Sequence, residues 1–314
     1  MSEVKKIATR VSYGEALKEL GAEYPNLVVL DADVAASTMT ATFQKEYPDR
    51  HIDCGIAEAN MMGIAAGLST CGKIPFVSAF AMFAAGRAFE QVRNSVGYPH
   101  LNVKIGGTHA GITVGEDGAS HQCNEDFALM SVIPGMVVMC PADDVEAKAC
   151  VRAALEHEGP VYIRFGRAAC TVINDRPDYH FEIGKGEVVR EGKDITIVAT
   201  GIGVDSALGA AEKLAADGIS AEVINMCTIK PLDTDVLVKS VSKTGRVLTV
   251  EEHSVIGGLG SAVSNALCEL HPAPVKKLGM QDVYGESGTA AELVHKYGLD
   301  AEGVYAEAKS WLGK

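Results

Sequence analysis

The sequence predicts an α/β protein that contains two open, mostly parallel sheets flanked by helices. Three observations support this fold class. Short apolar runs alternate with amphipathic stretches along the chain, as expected when each strand is followed by a crossover helix. Glycine is abundant, with 33 residues among 314, whereas aromatic residues make up only 6%. Hydrophobic residues account for 47% of the chain, which is enough for a substantial core.

The first half carries the pattern of one such sheet. Ser12-Tyr13-Gly14-Glu15 has the form of a capping box and predicts a helix that begins there. Apolar runs predict the strands, and amphipathic stretches predict the helices. The predicted strands are 27–30, 74–80, 102–105, 136–140 and 161–165, and three predicted helices are 83–96, 124–132 and 143–156, the last capped by Asp143 or Asp144.

The second half repeats the alternation. The stretch 174–179 is polar, contains a proline and lacks periodicity, which is typical of a linker. We therefore expect a first domain at 1–175, a linker at 176–187 and a second domain at 188–314. In the second domain the predicted strands are 195–199, 221–225 and 246–250, and the predicted helices end near 216, 241 and 270.

Charge and cysteine content limit the class of protein. The formal net charge is -13 and is spread along the chain, which argues against nucleic acid or an anionic membrane as the main partner. No apolar run is long enough to span a membrane, and Met1–Lys6 leads into no signal-peptide segment. The eight cysteines are dispersed without a CxxC pair, so we expect reduced, mostly buried thiols in a cytoplasmic protein.

The stretch 53–63 contains the first candidate for a catalytic group. Glu58 begins a segment that has no other ionisable residue up to Thr70 and that ends before Gly72. Its apolar residues predict a helix packed on most of its circumference. The helix N-terminus favours a charged carboxylate, whereas burial favours the neutral form. Such a group is suited to proton exchange with a heterocycle, although first-turn acids more often have only a structural role.

Two further clusters lie where predicted strands end. Asp31, Asp33 and Ser37 follow the strand 27–30, at the edge where open α/β sheets bind ligands. Phe80 and Phe83 lie at the junction of a strand and a helix, three residues apart. Their rings are suited to stacking on a flat ligand, and ordinary core packing is the alternative.

A long glycine-rich loop and a strand end supply the remaining candidates. His109, Asp117 and His121 lie among glycine and polar residues, so we expect both histidines to be accessible to a ligand. Arg164 and Arg167 follow the last strand of this half, where a guanidinium is suited to binding a phosphate in two places. For either arginine, an ordinary surface charge is the alternative.

Taken together, these motifs resemble those of the transketolase family. From Leu30 to Arg167 the chain is similar to the family's pyrimidine-binding domain. The second half, with Glu251-Glu252-His253 and Gly257-Gly258-Leu259-Gly260, resembles the C-terminal domain. The most specific segments are 55–58, 78–83 and 115–122, and their occurrence in this order is the strongest part of the resemblance.

The resemblance implies thiamine diphosphate as the cofactor. It places Glu58 on N1′ of the aminopyrimidine, where the acid activates the cofactor. It places Phe80 and Phe83 against the pyrimidine ring, and Asp33 at the subunit contact beside it. Many relatives have an aromatic residue three positions after Phe83, whereas this sequence has Gly86, so we expect less extensive stacking.

The resemblance also implies sites for sugar phosphates. It places Asp117 near the hydroxyl groups of the donor, and His109 and His121 near the sugar and its phosphate. Ser37 and Arg167 correspond to positions that hold the acceptor phosphate. The implied reaction is transfer of a two-carbon ketol unit between sugar phosphates.

One family motif is absent from this sequence. The family binds the diphosphate and its divalent metal, Mg or Ca, through a GDG motif in a preceding domain, and this chain contains no GDG. We therefore expect a split enzyme in which a diphosphate-binding N-terminal transketolase subunit supplies that motif and the metal. The family's pattern implies an α2β2 heterotetramer in which this chain also self-dimerises.

Three alternatives remain open from the sequence. The first is the β subunit of a 2-oxoacid dehydrogenase, although that branch lacks the pair formed by Asp117 and His121. The second is a subunit similar to deoxyxylulose-phosphate synthase, which condenses pyruvate instead of transferring a ketol. The third is a non-catalytic relative that regulates its partner.

Overall fold

The computed structural model describes residues 5–313, which form two compact units. The first unit contains the described residues up to Ala110 together with Leu129–Glu182, and the second contains Gly111–Ala128 together with the described residues from Ile183 onward. The predicted α/β class is confirmed. Residues 1–4 and 314 lie outside the described part of the chain. The prediction for the segment Met1–Lys6 and the outer bounds of both predicted domains fall partly on these residues.

The first unit is built on parallel strands. Its strands β1 to β8 are Lys6–Ala8, Leu27–Asp31, His51–Asp53, Ile74–Phe80, Lys104–Thr108, Val137–Met139, Val161–Arg164 and Ala169–Thr171. Within this unit the order is β6-β7-β5-β4-β2-β3 with parallel pairing, and β1 and β8 form a separate antiparallel ribbon. The register aligns Asp31 with Ser78 and Phe80 with Thr108, so several candidate residues share the carboxyl edge of the sheet.

Helices cover these strands. Helices α1 to α7 are Thr9–Glu23, Ala35–Thr38, Ala41–Glu46, Glu58–Thr70, Phe89–Gln91, Asp126–Ser131 and Asp144–Glu156. Helix α4 begins at Glu58 as predicted. Asp143 caps α7 as predicted, because its side chain accepts a hydrogen bond from the backbone N–H of Glu146 at 2.9 Å.

The predictions for two helices were wrong in detail. Helix α1 begins at Thr9, so Ser12 is buried inside the helix and does not cap it. Tyr13 stacks on Phe165 with ring centroids 4.5 Å apart, and this packing outweighs the local capping pattern. The predicted helix 83–96 is instead divided into π-helical segments Met82–Arg87 and Val92–Gly97 with α5 between them. Segments of this kind occur often at functional sites.

The second unit contains a five-stranded sheet. Strands β9 to β14 are Glu187–Arg190, Ile195–Ala199, Ala221–Asn225, Thr228–Lys230, Val247–Ser254 and Val275–Met280. The sheet order is β14-β13-β10-β11-β9, with only β9 antiparallel to its neighbour. Helices α8 to α12 are Gly203–Ala216, Thr234–Thr244, Leu259–Leu270, Ala290–Lys296 and Ala301–Trp311. The strand predicted at 246–250 continues to Ser254, which brings 251–253 into the sheet.

Five of the eight cysteines are buried, as expected for mostly buried thiols. Among residues 5–313 there is no helix with the length and apolar character that crossing a membrane requires.

Lys104 in β5 is a buried cation outside the candidate site. Its Nζ donates hydrogen bonds to the carbonyl oxygens of His157 and Gly159, each at 2.6 Å. Burial lowers the pKa of Lys104 to about 7, with Glu158 a smaller opposing influence. The charged ammonium is poorly solvated inside the protein, so its neutral form is favoured.

Lys104 is therefore expected to make stability depend on pH. The ordinary pKa of a lysine side chain is 10.5, so between pH 7 and 10.5 Lys104 binds more protons in the unfolded chain than in the folded chain. The free energy of unfolding should rise with pH in this window, by up to about 1.4 kcal/mol per pH unit from this group. Lys104→Met should remove that rise. Urea unfolding of the wild-type chain and of Lys104→Met between pH 7 and 10.5 measures how the free energy of unfolding of each depends on pH. Parallel pH profiles for the two proteins would contradict a lowered pKa of Lys104.

Candidate active site

An aromatic stack lies at the carboxyl edge of the first unit's sheet. Phe80 ends β4, and His109 follows β5 with a positive φ of 56°. The two rings stack with centroids 4.0 Å apart. Phe83, on the first π-helical segment, also stacks with Phe80, with ring centroids 6.1 Å apart. The structure thus brings together all three ring-bearing candidates of this unit.

Glu58 is a buried carboxylate at the first turn of α4. Only 4% of the Glu58 surface is exposed. Arg87 donates to both carboxylate oxygens, at 3.2 and 3.1 Å. The same guanidinium lies over the Phe83 ring at 4.4 Å from the centroid, in a cation–π contact. Arg87 therefore connects the acid to the aromatic stack.

Arg87 was not predicted from the sequence. It follows Phe83 by four residues, and side chains at that spacing share one face of a helix, so a signal was present. The expectation that α4 is packed on most of its circumference was wrong for this chain. Asn60, Gly63 and Gly67 are exposed, whereas Met61, Met62 and Ala65 are buried, so only part of the helix surface is packed.

The acids after β2 have different surroundings. Asp31 is buried and closes the turn by accepting hydrogen bonds from the Val34 N–H at 2.6 Å and from the Thr38 hydroxyl at 3.1 Å. Burial raises the pKa of Asp31 despite these hydrogen bonds. Asp33 is exposed with φ 61°, and its backbone N–H donates to Asp53 at 3.1 Å. These contacts indicate a structural role for Asp31 and leave Asp33 accessible.

Arg10 lies beside Ser37 and close enough to Arg167 for their charges to interact. Arg10, on α1, donates from Nη1 to the carbonyl oxygen of Ser37 at 2.6 Å. Burial lowers the pKa of Arg10, and the nearby positive charge of Arg167 adds to this effect. Arg10 was missed because it lies far along the chain from the other two residues. Arg164 is buried, which excludes the surface-charge alternative for that residue.

Asp117 and His121 lie in the second unit, on the segment Gly111–Ala128. Asp117 is exposed and His121 is partly exposed, with its Nδ1 2.9 Å from the Ser120 hydroxyl. His109, in contrast, is only 3% exposed in this chain, so the expectation that both histidines are accessible was wrong for His109. Its stacking on Phe80 and its contact with Thr108 at 3.0 Å account for the burial.

Within residues 5–313 no group of three or more His, Cys, Asp or Glu side chains is arranged to hold a metal ion.

Comparison with known proteins identifies the family. Residues 5–171 match the family profile of the transketolase pyrimidine binding domain, and residues 184–304 match that of the transketolase C-terminal domain. The chain belongs to the transketolase family. Members of this family use thiamine diphosphate, and they are transferases.

Several transketolase relatives match almost end to end. A putative transketolase C-terminal section from Methanocaldococcus jannaschii is 52% identical, and the match covers 94% of this chain and 93% of that protein. A 6-deoxy-6-sulfo-D-fructose transketolase subunit from a Clostridium species is 45% identical, with 95% and 92% covered. A solved structure described as a split gene transketolase, an inactive β4 tetramer, is 56% identical with a TM-score of 0.91 and covers 98% and 99% of the two chains.

Proposed function

We propose that this chain is the pyrimidine-binding and C-terminal subunit of a two-subunit transketolase. The assembled enzyme would transfer a two-carbon ketol unit between sugar phosphates. The observation that carries this proposal is the buried carboxylate of Glu58 beside an aromatic stack at the carboxyl edge of the sheet. Arg87 contacts both the acid and Phe83, which makes them parts of one site.

The side chains of this site are suited to an aminopyrimidine ring. Phe80 and Phe83 offer aromatic faces for stacking, and Glu58 offers a hydrogen-bonding partner for the ring nitrogen N1′. When bound, thiamine diphosphate supplies the carbanion chemistry of ketol transfer. Glu58 holds or exchanges a proton at N1′, and His109 belongs to the same stack. Asp33, which is exposed, would lie at the subunit contact.

The second subunit of this proposal binds the diphosphate and the Mg or Ca ion. Support comes from relatives that this chain matches over nearly their full length and whose names describe subunits or sections. The sequence contains no GDG motif of its own. We assign that motif to a partner chain and expect an α2β2 assembly.

Separate residues would hold the sugar phosphates. Ser37, Arg10 and Arg167 form a cationic cluster that suits the acceptor phosphate, because guanidinium groups form charge-assisted hydrogen bonds to phosphate oxygens. Asp117 and His121 would contact the donor. Arg164 is buried at the end of β7, where its charge would contribute to the potential near this cluster.

Reconstitution tests the proposal directly. This chain alone should bind thiamine diphosphate weakly and show no turnover with xylulose 5-phosphate and ribose 5-phosphate. Addition of a GDG-bearing partner chain, with thiamine diphosphate and Mg²⁺, should produce ketol transfer. Turnover by this chain alone would contradict the two-subunit assignment. Reaction of the mixture with pyruvate instead of a ketose donor would favour the deoxyxylulose-phosphate synthase alternative.

A further inference from the structure

The segment Gly111–Ala128, which carries Asp117 and His121, is part of the second unit although it lies between elements of the first. Contacts within the second unit therefore contribute to its folded position. The residues of the second unit that hydrogen-bond to this segment are the ones that fix it.

Both ends of the segment are attached to β13. The backbone N–H of Thr113 donates to a carboxylate oxygen of Glu252 at 2.6 Å, and both residues are buried. The backbone N–H of Ser254 donates to the carbonyl oxygen of Asn124 at 2.7 Å. Because the acceptor at Glu252 is a carboxylate, the first of these hydrogen bonds is charge-assisted and stronger than a neutral one.

Gln122 fixes the middle of the segment. Gln122 is buried, at 3% exposure. Its amide nitrogen lies 2.8 Å from the carbonyl oxygen of Glu286, 3.2 Å from that of Ile112 and 3.4 Å from that of Gly115. One side chain thus joins residues 112–115 of the segment to the chain that precedes α11. The two hydrogens of the amide are thus shared among three carbonyl oxygens, of which that of Glu286 is the nearest.

The chain before α11 approaches the segment closely at two glycines. A Cβ at Gly285 would lie 1.8 Å from the side-chain oxygen of Gln122, and a Cβ at Gly118 would lie 2.5 Å from the hydroxyl of Ser287. Both distances are shorter than a Cβ contact allows, so a side chain at either glycine would displace Gln122 or Ser287. Glycine at these two positions therefore allows the chain before α11 to lie directly beside the turn that carries Asp117.

We propose that Glu252 and Gln122 are positioning residues for donor binding. Through these two residues the second unit sets the conformation of the turn that bears Asp117 and His121. The inference rests on the proposed function for the identity of the donor. The second unit would then have a defined part in the reaction, because its sheet fixes the segment whose residues, Asp117 and His121, would contact the sugar.

Substitutions at Glu252 separate this role from general stability. Glu252→Leu removes the acceptor for the Thr113 N–H, whereas Glu252→Gln retains a side-chain oxygen that can accept it. In the reconstituted enzyme, Glu252→Leu should raise the KM for the ketose donor about tenfold, as expected for loss of one such hydrogen bond. The dissociation constant of thiamine diphosphate and the KM for the acceptor should stay unchanged, and Glu252→Gln should restore most of the donor affinity.

A second measurement needs neither partner nor substrate. Hydrogen exchange of residues 112–121 in the full chain should become faster in Glu252→Leu and in Gln122→Leu, but not in Glu252→Gln. Glu222→Leu is the matched control, because Glu222 is a buried carboxylate of β11 that contacts Gly192 and Lys243. It should leave exchange in 112–121 unchanged.

Two outcomes would overturn the inference. The first is exchange in 112–121 that does not respond to either leucine variant. The second is a rise in the acceptor KM and in the cofactor dissociation constant equal to that in the donor KM. If reconstitution gives no ketol transfer at all, the proposed function fails, while the exchange experiment still decides whether the C-terminal unit positions this segment.

Discussion

Replacement of Glu58 with glutamine is expected to lower the kcat of the reconstituted enzyme by about 10²–10⁴-fold. The amide cannot accept or release a proton in the way that a carboxyl group can. Its oxygen still accepts a hydrogen bond from Arg87, and its volume is almost the same, so folding should be little affected. Steady-state turnover and thermal unfolding of the variant measure the two effects separately.

Glu90→Gln is the matched control for this experiment. Glu90 is an exposed acid on α5, close along the chain to Arg87. Its carboxylate accepts hydrogen bonds from the side chains of Gln91 and Asn94. This variant should retain full turnover. If Glu58→Gln keeps most of its activity in the assembled enzyme, the catalytic role of Glu58 is wrong.

Replacement of Arg167 with alanine is expected to raise the KM for phosphorylated acceptors by roughly 10–100-fold. A charged hydrogen bond to a phosphate oxygen would be lost, while acceptors without a phosphate never form it. The KM for an unphosphorylated acceptor should therefore change little. Arg10→Ala should have an effect in the same direction, because Arg10 contacts Ser37 in the same cluster.

Arg152→Ala provides the comparison for a surface arginine. Arg152 lies on α7, is about half exposed and pairs with Glu23. Its loss should leave both acceptor KM values unchanged, since solvent-exposed ion pairs contribute little. If Arg167→Ala changes the KM of phosphorylated and unphosphorylated acceptors equally, Arg167 is a surface charge and the cluster is not a phosphate site.

Local patterns predicted the elements well where one signal dominated. The strands Ile74–Phe80, Ile195–Ala199 and Ala221–Asn225 were predicted with their observed bounds, because each is a short run of mostly apolar residues next to a helix breaker or a turn. The start of α4 at Glu58 and the cap at Asp143 also follow from neighbouring residues. The prediction that Ser12 caps α1 was wrong, because the helix begins at Thr9 and its residue Tyr13 packs on Phe165.

Composition, alternating strands and helices, and ordered motifs thus determined the α/β class, the family and the residues proposed for the cofactor. Only the tertiary structure revealed the contact of Arg87 with Glu58, the contact of Arg10 with Ser37, and the attachment of the Asp117 segment to the second unit. These contacts join residues far apart in sequence, 139 positions in the case of Thr113 and Glu252. No periodic pattern or cap encodes a pairing over that separation, because it depends on how whole sheets and helices pack.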